Sequence, residues 1–243
     1  MYAVYRRPFI VPYAQCDCNE KLKLSAALKE AQQVSMEHCD QLGIGNRYLL
    51  SLNMVFLLAK IHIDITRMPR GGETLAIETV PYLPVRAIYP RVTTLYGEKE
   101  EPLMRIDSRW TLVNTQTGRI LRRPPEGLPL PFTPTPQDFS DVKIAAPASL
   151  QPLEQVRVRY CNLDSNHHLN NGEYADLVCN CLEQELLEGW ETAAFTILYH
   201  HEAKLGQTIC LEGARQENIR YIRGTLDQGP CFESEVILQK RRE

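Results

Sequence analysis

Apolar residues recur at helical spacing over residues 24–42, at Leu24, Ala27, Leu28, Ala31, Val34 and Leu42, and the run stops at Gly43. That spacing lays one apolar stripe along a helix, and a glycine just past the last turn supplies a C-cap. A long apolar and alternating stretch follows over 53–66, with Val55, Leu57, Ile61, Ile63 and Ile65 expected to point inward. Pro69-Arg70-Gly71-Gly72 then reads as a turn, and further strands are predicted over 73–82, 85–96 and 103–115. Prolines 124, 125, 129, 131, 134 and 136 forbid helix or interior strand, so residues 124–150 read as an extended linker. Beyond it the plan returns: a strand over 154–161, a helix over 171–188 carried by Tyr174, Leu177, Val178, Cys181, Leu182 and Leu186, and strands near 192–202, 207–214, 217–227 and 231–240.

The return is also visible residue by residue. Val11, Tyr13, Asp17, Asn19 and Leu22 correspond to Val158, Tyr160, Asp164, Asn166 and Leu169 at a constant offset of 147 (158 − 11 = 147). Gly72-Glu73-Thr74-Leu75 corresponds to Gly206-Gln207-Thr208-Ile209 at an offset of 134 (206 − 72 = 134). An internal duplication explains order, spacing and periodicity together. The expected architecture is α+β, two copies of a long helix wrapped by an antiparallel sheet, with domains at 1–123 and 151–243 joined by the linker 124–150.

The two copies differ in their polar groups. Asp164, Asn166 and His168 stand at alternate positions, so an extended segment would direct a carboxylate, an amide and an imidazole to one point. In the first copy Lys21 replaces His168, and an ammonium cannot relay a proton as an imidazole does. Asn170 and Asn171 read as caps of the second helix, and the free amides at its start suit a developing oxyanion.

A net charge of −3 argues against wholesale nucleic-acid binding. The N-terminus has no apolar run of signal-peptide length, and no run approaches the roughly 20 residues of a membrane span. A cytoplasmic protein is expected, with its eight cysteines reduced and neither metal nor cofactor.

With these motifs the chain resembles the acyl-acyl carrier protein thioesterases, through Asp164-x-Asn166-x-His168-x-x-Asn171 and Tyr199-His200-His201-Glu202. The resemblance covers nearly the whole chain. It implies two tandem hotdog domains and hydrolysis of acyl-carrier-protein thioesters to free fatty acid, with Asp164, Asn166, His168 and Glu202 as the catalytic set. Plant members carry a cysteine directly after that glutamate; here the position is Ala203, which removes a cysteine nucleophile there. The plant enzymes also carry an N-terminal transit segment, and without one this chain looks more like a bacterial member. In the first copy Met68 takes the place of Glu202 (202 − 134 = 68), so that half is expected to be catalytically degenerate. Its apolar face, Leu28, Ala31 and Val34 opposite Leu57 and Ile63, is expected to line an acyl-chain pocket.

The implied partner is an acyl carrier protein bearing a 4'-phosphopantetheine-linked acyl chain. It is acidic, so Arg67, Arg70, Arg86, Arg91 and Lys204 are candidate docking cations. Acyl-coenzyme A is equally anionic and stays open as a donor. Two rivals remain: a hotdog hydratase or dehydratase, and a non-catalytic acyl-thioester sensor. Tandem fusion permits a monomer or a homodimer.

Overall fold

The computed structural model describes residues 4–125, 128, 132–134 and 143–241. Among the described residues ten antiparallel strands form one sheet: β1 (Tyr5–Ile10), β2 (Met54–Ile65), β3 (Thr74–Pro81), β4 (Tyr89–Tyr96), β5 (Pro102–Asn114), β6 (Gln151–Arg157), β7 (Trp190–Tyr199), β8 (Thr208–Gln216), β9 (Ile219–Leu226) and β10 (Gly229–Lys240). Their order, β1-β3-β4-β5-β2-β7-β10-β9-β8-β6, reads the same from either edge once β1–β5 are matched to β6–β10. The halves meet where β2 pairs with β7, with Ile61 opposite Ile197 and Ile63 opposite Phe195. This is the hotdog plan twice over, and the duplicated motifs occupy equivalent places in it.

The helix α1 (Leu24–Gln41) ends as its sequence requires. Gly43 takes φ +74° and donates to Asp40 O, while the Ile44 amide donates to Cys39 O. Those are the two bonds of a Schellman motif, and Ile44 just after it is buried. A short helix α2 (Asn46–Ser51), with no counterpart in the apolar pattern, follows. The stripe of α1 joins residues of both halves, among them Ile63, Phe195, Ile197 and Phe232, in one core.

The second helix departs from the expected 171–188. It divides into α3 (Glu173–Asn180) and α4 (Glu183–Leu187). Leu182 leaves helical geometry at φ −114°, ψ 12°, its amide turns to Cys179 O, and its side chain is buried. Asn180 and Cys181 are weak helix formers, and burial of Leu182 outweighs one more helical turn. Apolar spacing cannot register the break, because both pieces face the same core. Gly172, at the start of α3, brings the helices together: a Cβ there would lie 3.0 Å from Ser25 O on α1.

Strand phase also needs correction. Between Leu58 and Lys60 the β2–β5 register shifts by a bulge at Ala59. A bulge reverses which faces the side chains take. Ile61, Ile63 and Ile65 do point inward, but in the first part of the strand Met54, Phe56 and Leu58 are the inward residues, and Leu57 stands 38% exposed. Pro129, Pro131 and Pro136 of the expected linker lie outside the described residues.

Candidate active site

Leucines on either side of the motif pair as an isolated bridge, Leu163 with Leu169, and close a tight turn rather than an extended segment. Asp164 Oδ1 accepts the amides of Asn166 (2.8 Å) and His168 (3.2 Å). The Asp164 amide donates to His168 O at 2.8 Å, and His167 takes a left-handed φ of 64°. An Asp that satisfies two amides of its own loop stabilises such a turn. Asp164 therefore orients Asn166 and His168 through the main chain; the Asn166 amide group approaches its second oxygen only at 3.5 Å.

The turn is pinned to the loop after β7. His168 bridges Lys204, and the Leu169 amide donates to Ala203 O at 2.8 Å. This brings His168 Nε2 within 3.2 Å of Glu202 Oε2, joining an imidazole and a carboxylate from segments 34 residues apart (202 − 168 = 34). The His168 side chain is 25% exposed and that of Glu202 51%, so the carboxylate opens to solvent. Beneath them lies an aromatic floor. Tyr174 is buried edge-on against Tyr199 and Phe232. Burial pushes the Tyr174 phenol far above its ordinary value, with Cys231, Glu202 and Asp164 adding to the rise, so it stays protonated. Ala203, at the position of the plant cysteine, is fully buried.

Of the three amides at the start of the helix, that of Asn170 donates to Asn162 O and that of Gly172 to Asn170 Oδ1 (2.9 Å), so Asn170 holds the turn before α3, whose N-cap is Gly172 and carries no side-chain cap. The Asn171 amide has no acceptor among the described residues, while its carbonyl accepts from Tyr199 Oη at 3.0 Å. Asn171 and Gly172 border a narrow crevice of about 20 Å³, whose other walls include Leu28, Ala31, Leu58, Ile61 and Trp110. Of the residues expected to line an acyl-chain pocket, Leu28 and Ala31 border this crevice. Val34 and Ile63 are sealed in the core, and Leu57 faces away because of the bulge, its place taken by Leu58. Trp110, on β5, gives no sign of this role in the strand pattern.

The remaining polar candidates lie elsewhere. His200 pairs with Glu233 (3.0 Å) and His201 with Pro230 O (2.7 Å). Arg67 pairs with Glu73 at the surface, and Arg91 turns inward to His38 and Thr79 (both 3.2 Å). No helix among the described residues is long and apolar enough to cross a membrane.

Solved structures share this fold over their full length. An acyl-ACP thioesterase from Bacteroides thetaiotaomicron superposes with a TM-score of 0.85 at 18% identity, covering 98% of each chain. The 12:0-ACP thioesterase from Umbellularia californica superposes with a TM-score of 0.86 at 18% identity, covering 99% of each. The oleoyl-acyl carrier protein thioesterase 2, chloroplastic, of Arabidopsis thaliana is 24% identical over 220 residues, 82% of this chain and 60% of its own length. The chain thus spans about 60% of the length of the curated plant relatives it matches. Residues 2–129 match the acyl-ACP thioesterase N-terminal domain and residues 147–228 the C-terminal domain, and on both matches the chain belongs to the acyl-ACP thioesterase family.

Proposed function

We propose that the protein hydrolyses the thioester of acyl-acyl carrier protein to free fatty acid and holo-carrier protein, acting in the cytoplasm. The observation that carries this reading is the His168–Glu202 pair, present only in the second copy of the motif and set three residues before the free Asn171 amide. Residues 151–243 supply the reacting groups. Residues 1–123 supply the α1 wall along which the acyl tail lies.

Glu202 takes a proton from water as the water oxygen attacks the thioester carbonyl carbon. His168 holds Glu202 and that water in line. General-base assistance of this kind is worth roughly 10²- to 10⁴-fold. The oxyanion meets the Asn171 amide, and one such donor contributes about 3–4 kcal/mol to the transition state. Collapse breaks the C–S bond, and the departing pantetheine sulfur takes up the proton. The crevice has room for about one water, so an acyl tail enters as Leu58 and Trp110 move aside.

The test is release of fatty acid from acyl-carrier-protein and acyl-coenzyme A thioesters of several chain lengths. Strong turnover of carrier-protein substrates, lost in Glu202→Gln and His168→Ala, is expected. Saturable binding without turnover would overturn the enzyme reading and leave a sensor.

A further inference from the structure

The degenerate copy of the motif does not close on solid core. It borders a cavity of about 540 Å³, far larger than the crevice beside the intact motif. The two spaces are counterparts under the internal duplication. Asn171 of the crevice corresponds to Leu24 of the cavity (171 − 147 = 24), and Cys179 of the cavity to Gln32 of the crevice (179 − 147 = 32). Thr192 of the cavity likewise corresponds to Leu58 of the crevice (192 − 134 = 58). The two spaces therefore occupy equivalent places in the two halves, with α3 and α4 in the place of α1.

The lining of the cavity selects a ligand. Leu22, Met68, Leu186 and Trp190 supply an apolar wall. Lys21 is neutralised by its ion pair with Glu191, whose other oxygen accepts from Gln239 at 3.2 Å. Arg241 is different. Its guanidinium donates to Asn19 Oδ1 (3.0 Å), Trp190 O (3.3 Å) and Leu186 O, all neutral acceptors, and no carboxylate among the described residues pairs with it. A partly buried guanidinium without a counter-ion favours an anionic head. Carboxylates of Asp17, Asp176 and Glu183 also border the cavity, against one further cation, Lys23, and disfavour a polyanion such as a coenzyme A diphosphate. A single carboxylate on a hydrocarbon chain satisfies both constraints.

We propose that this cavity is a second, non-catalytic site that binds a free long-chain carboxylate, its head on Arg241 and its chain against Met68 and Trp190. The ligand class rests on the acyl reading of the catalytic half; the cavity and its uncompensated cation do not. No hydrolysis is expected there, because Met68 and Lys21 replace the base and the imidazole.

The chain's two tryptophans separate the sites, since Trp110 borders the crevice and Trp190 the cavity. Hexadecanoate is titrated into full-length Trp110→Phe protein, in which Trp190 alone reports, and into Trp190→Phe protein, in which Trp110 alone reports. A saturable change in Trp190 emission is expected. Arg241→Gln, made in the Trp110→Phe protein, should weaken hexadecanoate binding about tenfold and leave hexadecanol binding unaltered. Leu187 borders the cavity and is 67% exposed, so Leu187→Trp in a Trp110→Phe, Trp190→Phe background fills the cavity without disturbing the core. Calorimetry on that variant should find no second hexadecanoate site. A silent Trp190, or hexadecanoate affinity indifferent to Arg241→Gln, overturns the proposal. Thioester hydrolysis measured on unsubstituted protein reads the catalytic half separately: turnover with a silent Trp190 sinks this inference alone, and a Trp190 response without turnover sinks only the catalytic reading.

Discussion

The turns around Asp17 and Asp164 are built alike to the level of single hydrogen bonds, although one sets an imidazole against a carboxylate (His168 and Glu202) and the other an ammonium (Lys21 and Glu191). Asp17 Oδ1 accepts the amides of Asn19 (2.8 Å) and Lys21 (3.0 Å), and the Asp17 amide donates to Lys21 O, as Asp164 does with Asn166 and His168. Glu20 at φ 60° matches His167 at 64°. The Leu22 amide reaches Pro69 O as that of Leu169 reaches Ala203 O. A geometry kept where no chemistry is possible is a requirement of the fold. On the proposed function Asp164 is therefore a positioning residue, and the residues that divide the two sites are His168 against Lys21 and Glu202 against Met68.

The largest effect should come from the group that the degenerate copy lacks. Glu202→Gln keeps the size of the side chain and removes the base, and kcat should fall by roughly 10²- to 10⁴-fold with KM little changed. Steady-state hydrolysis of an acyl-carrier-protein substrate reads this directly. A fall of less than tenfold would shift the base to His168.

Paired substitutions at the aspartates test the comparison itself. Each of Asp17→Ala and Asp164→Ala strips two amides of their acceptor, a loss of about 1–3 kcal/mol. Thermal unfolding should show it in both variants, at about 2–4 °C of Tm per kcal/mol for a chain of this size. Turnover should fall in Asp164→Ala alone. An Asp17→Ala protein as stable as its parent would refute the claim that the turn requires the carboxylate.

A smaller and more selective effect is expected on β2, where the bulge decides which leucine meets α1. Leu58→Ala enlarges the crevice and should raise the kcat/KM ratio for longer over shorter acyl chains by about tenfold, the worth of one to two methylenes. Leu57→Ala, on the outer face, should leave the ratio unchanged. Equal responses would mean that the acyl tail does not lie along α1.

These contrasts mark where the sequence was readable. The alternation of β3 and the stripe of α1 report burial directly, and Gly43 marks the helix end because a left-handed residue is needed there. The motif and its copy were visible as residue types at matching offsets, whereas the distant Glu202 was named through the resemblance to the acyl-acyl carrier protein thioesterases. What escaped depends on a third dimension. The bulge at Ala59 and the bend at Leu182 change phase without changing hydrophobicity, and the bulge decides which leucine borders the crevice. Trp110 and Arg241 are equally unmarked, because a strand aromatic and a terminal arginine owe their importance to neighbours far along the chain.

The two sheet edges complete the comparison and give the smallest effect. On β1, Arg7 Nε donates to Glu37 Oε2 of α1 at 2.7 Å, and its guanidinium also meets Glu30. The equivalent residue on β6 is Glu154 (154 − 147 = 7), which is exposed. Burial pulls the Glu37 carboxyl upward, but hydrogen bonds from Arg7, Gln33 and Tyr5 outweigh it and hold the group below its ordinary 4.5. A depressed carboxylate stabilises the fold above its unfolded pKa, and that contribution is lost as pH falls through the lower, folded value. The tie between β1 and α1 should thus be intact at neutral pH and loosen only below about pH 4.5. Hydrogen exchange should find the β1 amides protected more than those of β6 at neutral pH, with the difference shrinking in acid. Glu37→Gln should abolish that pH dependence at β1 and leave β6 unchanged. Protection of β1 that persists in acid would show that its pairing with β3, and not the Arg7–Glu37 tie, holds the edge.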